Sequence, residues 1–301
     1  DRIGERRALV AGLALLTAGS IAAALSTSFV ALGISLFLGG MGGASTNSAS
    51  GRVVVGWFPP ESRGTAMGIR QTAQPLGVGL AVLIVPNLVH AHGLRPTMFA
   101  IAALCGITTA LAAALIVDPP RPSRAESEGL GHLVNPYTRD LRLWRIHFAS
   151  MLLVVPQFTV WTYMLVWLID DKGWSIAWAS TLVAVTQLLG AAGRIGAGAW
   201  SDRAGSRLRP MRTVAVAAAA TMLALGLLEG TALAVTIIVI ASVVTVADNG
   251  LAFTSVAEIG GPYWSGRAMG TQNTGQFLAA AAVPPIVGAL VTAHGYPWAF
   301  G

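Results

Sequence analysis

The feature that most constrains this chain is a succession of apolar runs of membrane length, parted by short polar breaks. A helix needs roughly 20 apolar residues to cross about 30 Å of hydrocarbon. Nine such runs are predicted, at 8–26, 29–57, 67–89, 97–117, 143–169, 176–200, 211–228, 232–256 and 268–292. The second is broken in its inner half by Ser45, Thr46, Asn47, Ser48 and Arg52. Hydrocarbon offers no hydrogen bonds, so each span must satisfy its own backbone, and the predicted fold class is an all-α, polytopic membrane helical bundle. The runs lack the strict alternation of a membrane β-barrel. Composition agrees: only 11% of residues are charged and 54% are hydrophobic, whereas a soluble domain carries roughly 25% charged residues to clothe its surface.

The positions of the basic residues predict orientation. With residue 1 on the cytoplasmic side, all but two of the 19 Lys and Arg residues fall in inner loops or at inner helix ends, and Arg95 and Lys172 alone fall outside. The net charge of +6 is therefore an orientation signal spread over every inner loop, not a nucleic-acid footprint. The stretch 118–142, rich in Pro, Arg, Glu and Gly, reads as a flexible cytoplasmic linker between an N-terminal bundle at 1–117 and a C-terminal bundle at 143–301. The single Cys105 sits in an apolar run and reads as a small buried hydrophobe.

Two segments recur. Asp1-Arg2-Ile3-Gly4-Glu5-Arg6 returns as Asp202-Arg203-Ala204-Gly205-Ser206-Arg207, and Gly64-Thr65-Ala66-Met67-Gly68 returns as Gly266-Arg267-Ala268-Met269-Gly270, offsets of 201 and 202. The unit holds about 200 residues, and both Asp-Arg motifs lie on the same side, which predicts a parallel repeat about an axis along the membrane normal.

The doubled Asp-Arg-x-Gly-x-Arg loop resembles the signature loop of the major facilitator superfamily. The Gly39-Gly40-Met41-Gly42-Gly43 cluster and Trp57-Phe58-Pro59-Pro60-Glu61-Ser62-Arg63-Gly64 are similar to it as well. The resemblance implies family helices 3 to 11 of a twelve-helix secondary transporter: 3–6 in the first bundle, 7–11 in the second, with the chain a fragment lacking helices 1, 2 and 12. Gly68-Ile69-Arg70-Gln71-Thr72-Ala73-Gln74-Pro75-Leu76-Gly77 is faintly similar to cyanate-permease-like bacterial members. Two patterns depart from the family: Ser35 or Leu36 stands where many proton-coupled members place Arg, and Gln74-Pro75 matches the drug-antiporter glycine–proline motif only in part.

Candidate site residues are polar groups inside apolar runs, where a carboxylate costs on the order of 3 kcal/mol. Asp248 is assigned to charge or proton coupling. Asn47, Asn249, Gln157 and Trp161 are assigned to solute contact, with Asn47 falling on Asp248 or Asn249 under the repeat offset. Gln71 and Gln74 stand opposite Asn273 and Gln276 in the repeat, either as solute ligands or as helix glue. Arg194 is placed to neutralise Asp202 or Asp248. The two loops, with Asp1, Arg2, Gly4 and Arg6 in one copy and Asp202, Arg203, Gly205 and Arg207 in the other, are expected to act as a conformational latch.

The chain carries no His-Glu-x-x-His, no Gly-x-Ser-x-Gly and no Gly-Lys-Ser/Thr loop around its one lysine. No enzyme activity, metal, cofactor, ATP or nucleic acid is expected. The expected partners are the lipid bilayer of a bacterial-type inner membrane, a small-molecule solute, and a proton or other ion. A non-transporting sensor or scaffold that keeps the fold is the competing reading.

Overall fold

The computed structural model describes residues 4–301, and the described residues are helical without a β-strand. Helix α1 (Glu5–Leu25) is followed by α2 (Phe29–Trp57), α3 (Arg63–Gln71), α4 (Ala73–His92) and α5 (Leu94–Leu115). A short α6 (Arg124–Gly129) lies in the connection. Then come α7 (Arg142–Val166), α8 (Ile176–Arg203), α9 (Leu208–Leu228), α10 (Ala234–Val244), α11 (Asp248–His294) and α12 (Tyr296–Phe300).

Eight helical stretches among the described residues are long and apolar enough to cross a membrane. The last runs from 234 to 294, 61 residues. As one rod it would measure about 90 Å, three bilayer cores. It does not run straight. Gly261 adopts φ 62 and ψ −173, and the chain folds back so tightly that a Cβ on Gly260 would lie 2.9 Å from the Cα of Ser265. Gln276 accordingly donates to Asn249 at 2.9 Å across 27 residues of sequence. That stretch is therefore two spans, and the nine expected runs are all present.

Backbone conformation repeats along with sequence. Gly93 and Gly295, 202 residues apart, both take φ 82 before the next helix, and Gly4 and Gly205 are likewise left-handed. Only a residue without Cβ adopts these angles at no cost. Lipid is as apolar as leucine, so close packing of small residues holds such helices together. At the α1–α2 seam a Cβ on Gly19 would meet the Cα of Gly39 at 2.7 Å. Large apolar side chains instead point outward, as with Phe29, 93% exposed.

The connection from 118 to 142, expected to be flexible, is docked. Ser123 and Glu126 close a capping box on α6. Tyr263 and Trp264, at the Gly261 reversal, donate to the carbonyls of Pro122 at 2.9 Å and Leu133 at 3.1 Å. Tyr137 reaches the Nε2 of His147 on α7 at 2.9 Å. The linker's backbone thus supplies the acceptors for these two half-buried aromatic donors.

Candidate functional site

A cavity of about 770 Å³ opens between the helices before the linker and those after it. Its polar lining comes from matched faces: Asn47 and Ser50 on α2, Gln71 and Gln74 at the α3–α4 junction, Asn249 on the first arm of α11, and Asn273 and Gln276 on the second. Spacings of three and four put such residues on one side of each helix. Asn47 with Asn249, Gln71 with Asn273, and Gln74 with Gln276 all keep the 202-residue offset, so the cavity is lined by the repeat.

The amides form two chains. In one, Asn249 donates to Gln157 Oε1 at 2.8 Å, while Gln276 Nε2 donates to Asn249 Oδ1 at 2.9 Å and to Ser150 Oγ at 2.7 Å. In the other, Asn47 Nδ2 donates across the two groups of helices to Asn273 Oδ1 at 2.5 Å. Gln157 is 1% exposed and its Nε2 has no partner among the described residues. Trp161, expected to share this duty, is not in the lining. It packs against Phe158, with ring centroids 5.5 Å apart and planes tilted by 49°, and Phe158 faces the cavity instead.

Arg70, which the orientation rule alone counts among the basic residues of inner loops and adjacent helix ends, lines the cavity. The available signal was its position inside the apolar run 67–89. Its Nε and Nη2 donate to Ser50 Oγ at 3.0 and 2.7 Å, and Nη2 also donates to the backbone and side-chain oxygens of Asn47.

Asp248 does not line the cavity. It is the first residue of α11, just after the break that ends α10, and it is 1% exposed. Neither carboxylate oxygen meets a hydrogen-bond donor among the described residues. The charge that acts on it is Arg194 of α8, also 1% exposed, although no ion pair within 4 Å joins them among the described residues. Of the two carboxylates that the sequence leaves open for Arg194, Asp202 is paired with Arg207 instead, and Asp248 feels Arg194 without contacting it. Arg194 Nη1 donates to the Gln71 carbonyl at 2.7 Å and to Gln74 Oε1 at 3.3 Å. Pro75 explains the first contact: a proline four residues on removes the donor that would have bonded Gln71 within the helix.

Asp202 lies at the end rich in arginine. It accepts from the backbone N–H of Gly64 at 2.9 Å, from that of Thr65 at 2.7 Å, and from Thr65 Oγ1 at 2.7 Å. A side chain of α8 thus caps the N-terminus of α3 in the other group of helices, where orphan N–H groups and the helix dipole favour an anion. Arg207 completes the cluster, pairing with Asp202 at 2.5 Å and Glu258 at 3.0 Å and donating to the Pro60 carbonyl. Burial weakens the Arg207 guanidinium, but its hydrogen bonds to Glu258 and Asp202 outweigh this and raise its pKa. Gly205 supplies the left-handed turn of the loop at φ 57, and Arg203 is exposed, outside the cluster.

The first copy of the loop is arranged differently. Asp1 and Arg2 lie outside the described residues. Gly4 is left-handed, and Arg6 bonds Asp118 through its backbone N–H at 2.6 Å and the Ala113 carbonyl through its side chain, all before the second group of helices. A contact between the two groups comes from Arg52, which donates to Ser265 at 2.7 Å and pairs with Glu5, the neighbour of Arg6, at 3.0 Å.

Residues 1–284 match the family model described as Major Facilitator Superfamily. The uncharacterized MFS-type transporter Rv2994 of Mycobacterium tuberculosis is 49% identical over the whole of this chain, which spans 67% of that relative's length. The hexuronate transporter of Bacillus subtilis is 24% identical over 67% of the chain and half of its own. Among solved structures, the proton:xylose symporter XylE, bound to 6-bromo-6-deoxy-D-glucose, superposes with a TM-score of 0.77 at 16% identity, over 100% of this chain and 78% of that one.

Proposed function

The chain belongs to the Major Facilitator Superfamily, a family of membrane transporters, and on that footing we propose that it moves a compact polar solute by alternating access. One observation carries the reading: an amide-lined cavity lies between two groups of helices that touch through a polar cluster at one end. The groups 1–117 and 143–301 are the rocking bodies, and 118–142 ties them together. The arginine-rich end faces the cytoplasm, in a bacterial inner membrane, and Asp202 is the latch that holds it shut.

Coupling is assigned to Asp248 acting through Arg194. Arg194 feels the Asp248 carboxylate of its own body at longer range and donates to the Gln71 carbonyl at the kink of the other. A proton taken by Asp248 removes the charge that balances Arg194 and alters its hold on the opposite body. Intramembrane carboxylates facing a lone guanidinium are rare and mark such relays. The relative named for hexuronate and the neighbour holding a halogenated sugar point to a small polyol-like cargo, charged or neutral.

Solute counterflow in proteoliposomes, with and without an imposed pH gradient, tests the reading. Asp248→Asn is expected to retain counterflow while losing stimulation by the gradient. Unaltered gradient stimulation in that variant would refute the coupling role.

A further inference from the structure

We propose that the cavity selects organic anions, with Arg70 as the residue that receives the cargo's carboxylate. The inference rests on the transport reading above and names its substrate class.

Arg70 faces neutral oxygens only. Its hydrogen bonds go to Ser50 and Asn47, its Nη1 approaches nothing better than the Met67 sulfur at 3.9 Å, and the Phe253 ring lies 6.0 Å from its carbon. Among the described residues no carboxylate lies within 4 Å of it. The other charge that bears on it is the guanidinium of Arg194, of the same sign. Asp248, the buried carboxylate of this region, lies in the field of Arg194 without contacting it. Two guanidiniums and one carboxylate leave an excess of one positive charge beside the cavity.

A guanidinium held in hydrocarbon without a counter-charge is costly, and such groups are kept where they face a water-filled path or a partner. The cavity supplies the path, and a carboxylate on the solute supplies the partner. Guanidinium is suited to the task because its planar fork matches a carboxylate and stays charged at any working pH. The Gln157 amide, a buried donor without an acceptor, adds a second point of contact for an oxygen on the same solute. Asn47 with Asn273 and Asn249 with Gln276 bond each other and can trade those bonds for hydroxyls. A neutral sugar would leave the excess charge unbalanced, so hydroxyl recognition alone does not account for the site.

The test is a thermal-shift screen of purified protein against matched pairs, each an organic acid of two to seven carbons and its primary amide. D-glucuronate against D-glucuronamide is one such pair. Stabilisation is expected from acids and not from their amides. Arg70→Gln is expected to weaken the best acid on the order of 100-fold. Arg70→Lys, which keeps a charge but not the fork, is expected to recover part of the loss. A monodisperse size-exclusion profile shows that each variant folds. Amides that match acids, acids that bind Arg70→Gln as well as the parent, or a panel without an acidic hit would each overturn the assignment. Counterflow separates the two proposals. Anion binding without counterflow sinks the transporter and leaves the anion site, while counterflow of neutral solutes indifferent to Arg70→Gln does the reverse.

Discussion

At the scale of single residues, the two carboxylates assigned to function have opposite surroundings. Asp202 is saturated: two backbone amides, a threonine hydroxyl and Arg207 all point at it. Asp248 meets no donor among the described residues and is balanced at longer range. Saturation suits a contact that must close firmly, and exposure of charge to charge suits one that must change state. Asp202→Ala removes a helix cap between bodies, for which about 1 kcal/mol is usual. We expect it to open the arginine-rich end, seen as faster maleimide labelling of a cysteine placed at Ser48 from that side. Labelling no faster than in the parent would end the latch assignment. At the opposite end of the spans, Lys172 joins Glu229 at 2.6 Å and Asp171 at 2.9 Å, and Glu229 also accepts from Trp167. Burial works against the Lys172 ammonium, but hydrogen bonds to Glu229 and Asp171 outweigh it and raise its pKa above the ordinary 10.5. A pKa raised on folding gives stability that is complete below the unfolded value and is lost as pH rises through the folded one. Thermal unfolding should therefore show Lys172→Met less stable than the parent at neutral pH, with the gap closing above about pH 10.5.

At the scale of elements, the α3–α8 crossing is governed by missing side chains. A Cβ on Gly198 would lie 2.2 Å from the Gly64 carbonyl oxygen, and one on Gly68 would lie 2.6 Å from that of Arg194. Both neighbours are backbone, so the helices must separate to admit a methyl group. Gly196, two residues away on α8, would meet nothing within 4 Å. Gly198→Ala is expected to cost about 1–3 kcal/mol by overpacking, whereas Gly196→Ala is expected to be neutral or to gain up to about 1 kcal/mol of helix propensity. Thermal stability in detergent distinguishes them, and equal effects would show that the crossing is not backbone-limited. The break between α10 and α11 belongs to the same scale. It places Asp248 in the first turn of a helix, where the dipole favours a negative charge inside the bilayer.

At the scale of the whole molecule, α2 and the second arm of α11 meet along one line. It runs from Arg52 with Ser265, past Gly51 beside the Met269 sulfur, to Asn47 with Asn273 at the cavity. A Cβ on Gly270 would stand 4.0 Å from Ser48 Oγ, so cysteines at these two positions would face each other across the line. In a Cys105→Ser background, Ser48→Cys with Gly270→Cys should cross-link under oxidation. Counterflow is then expected to stop and to return with dithiothreitol. Undiminished counterflow in the cross-linked protein would mean that the two bodies do not part along this line.

The spans, the repeat and the amide pairs were legible in the amino-acid order, because hydrophobic length and a fixed offset are one-dimensional quantities. Asn47, Asn249, Gln71, Gln74, Asn273 and Gln276 could be picked out that way, and they do line one cavity. Direction around a helix is another matter. Asp248 and Asn249 are neighbours in sequence, yet about 100° of rotation sends one into the packed interior and the other into the cavity. Trp161 and Phe158 exchanged places for the same reason. Arg70 looked like a topology signal because charge alone does not say whether water, lipid or a cavity surrounds it. The order of residues thus determined that this chain crosses a membrane as a doubled bundle with polar groups at matching depths. Only tertiary packing decided which of them share a surface, since that depends on helix rotation and on the approach of distant backbones, neither of which is written locally.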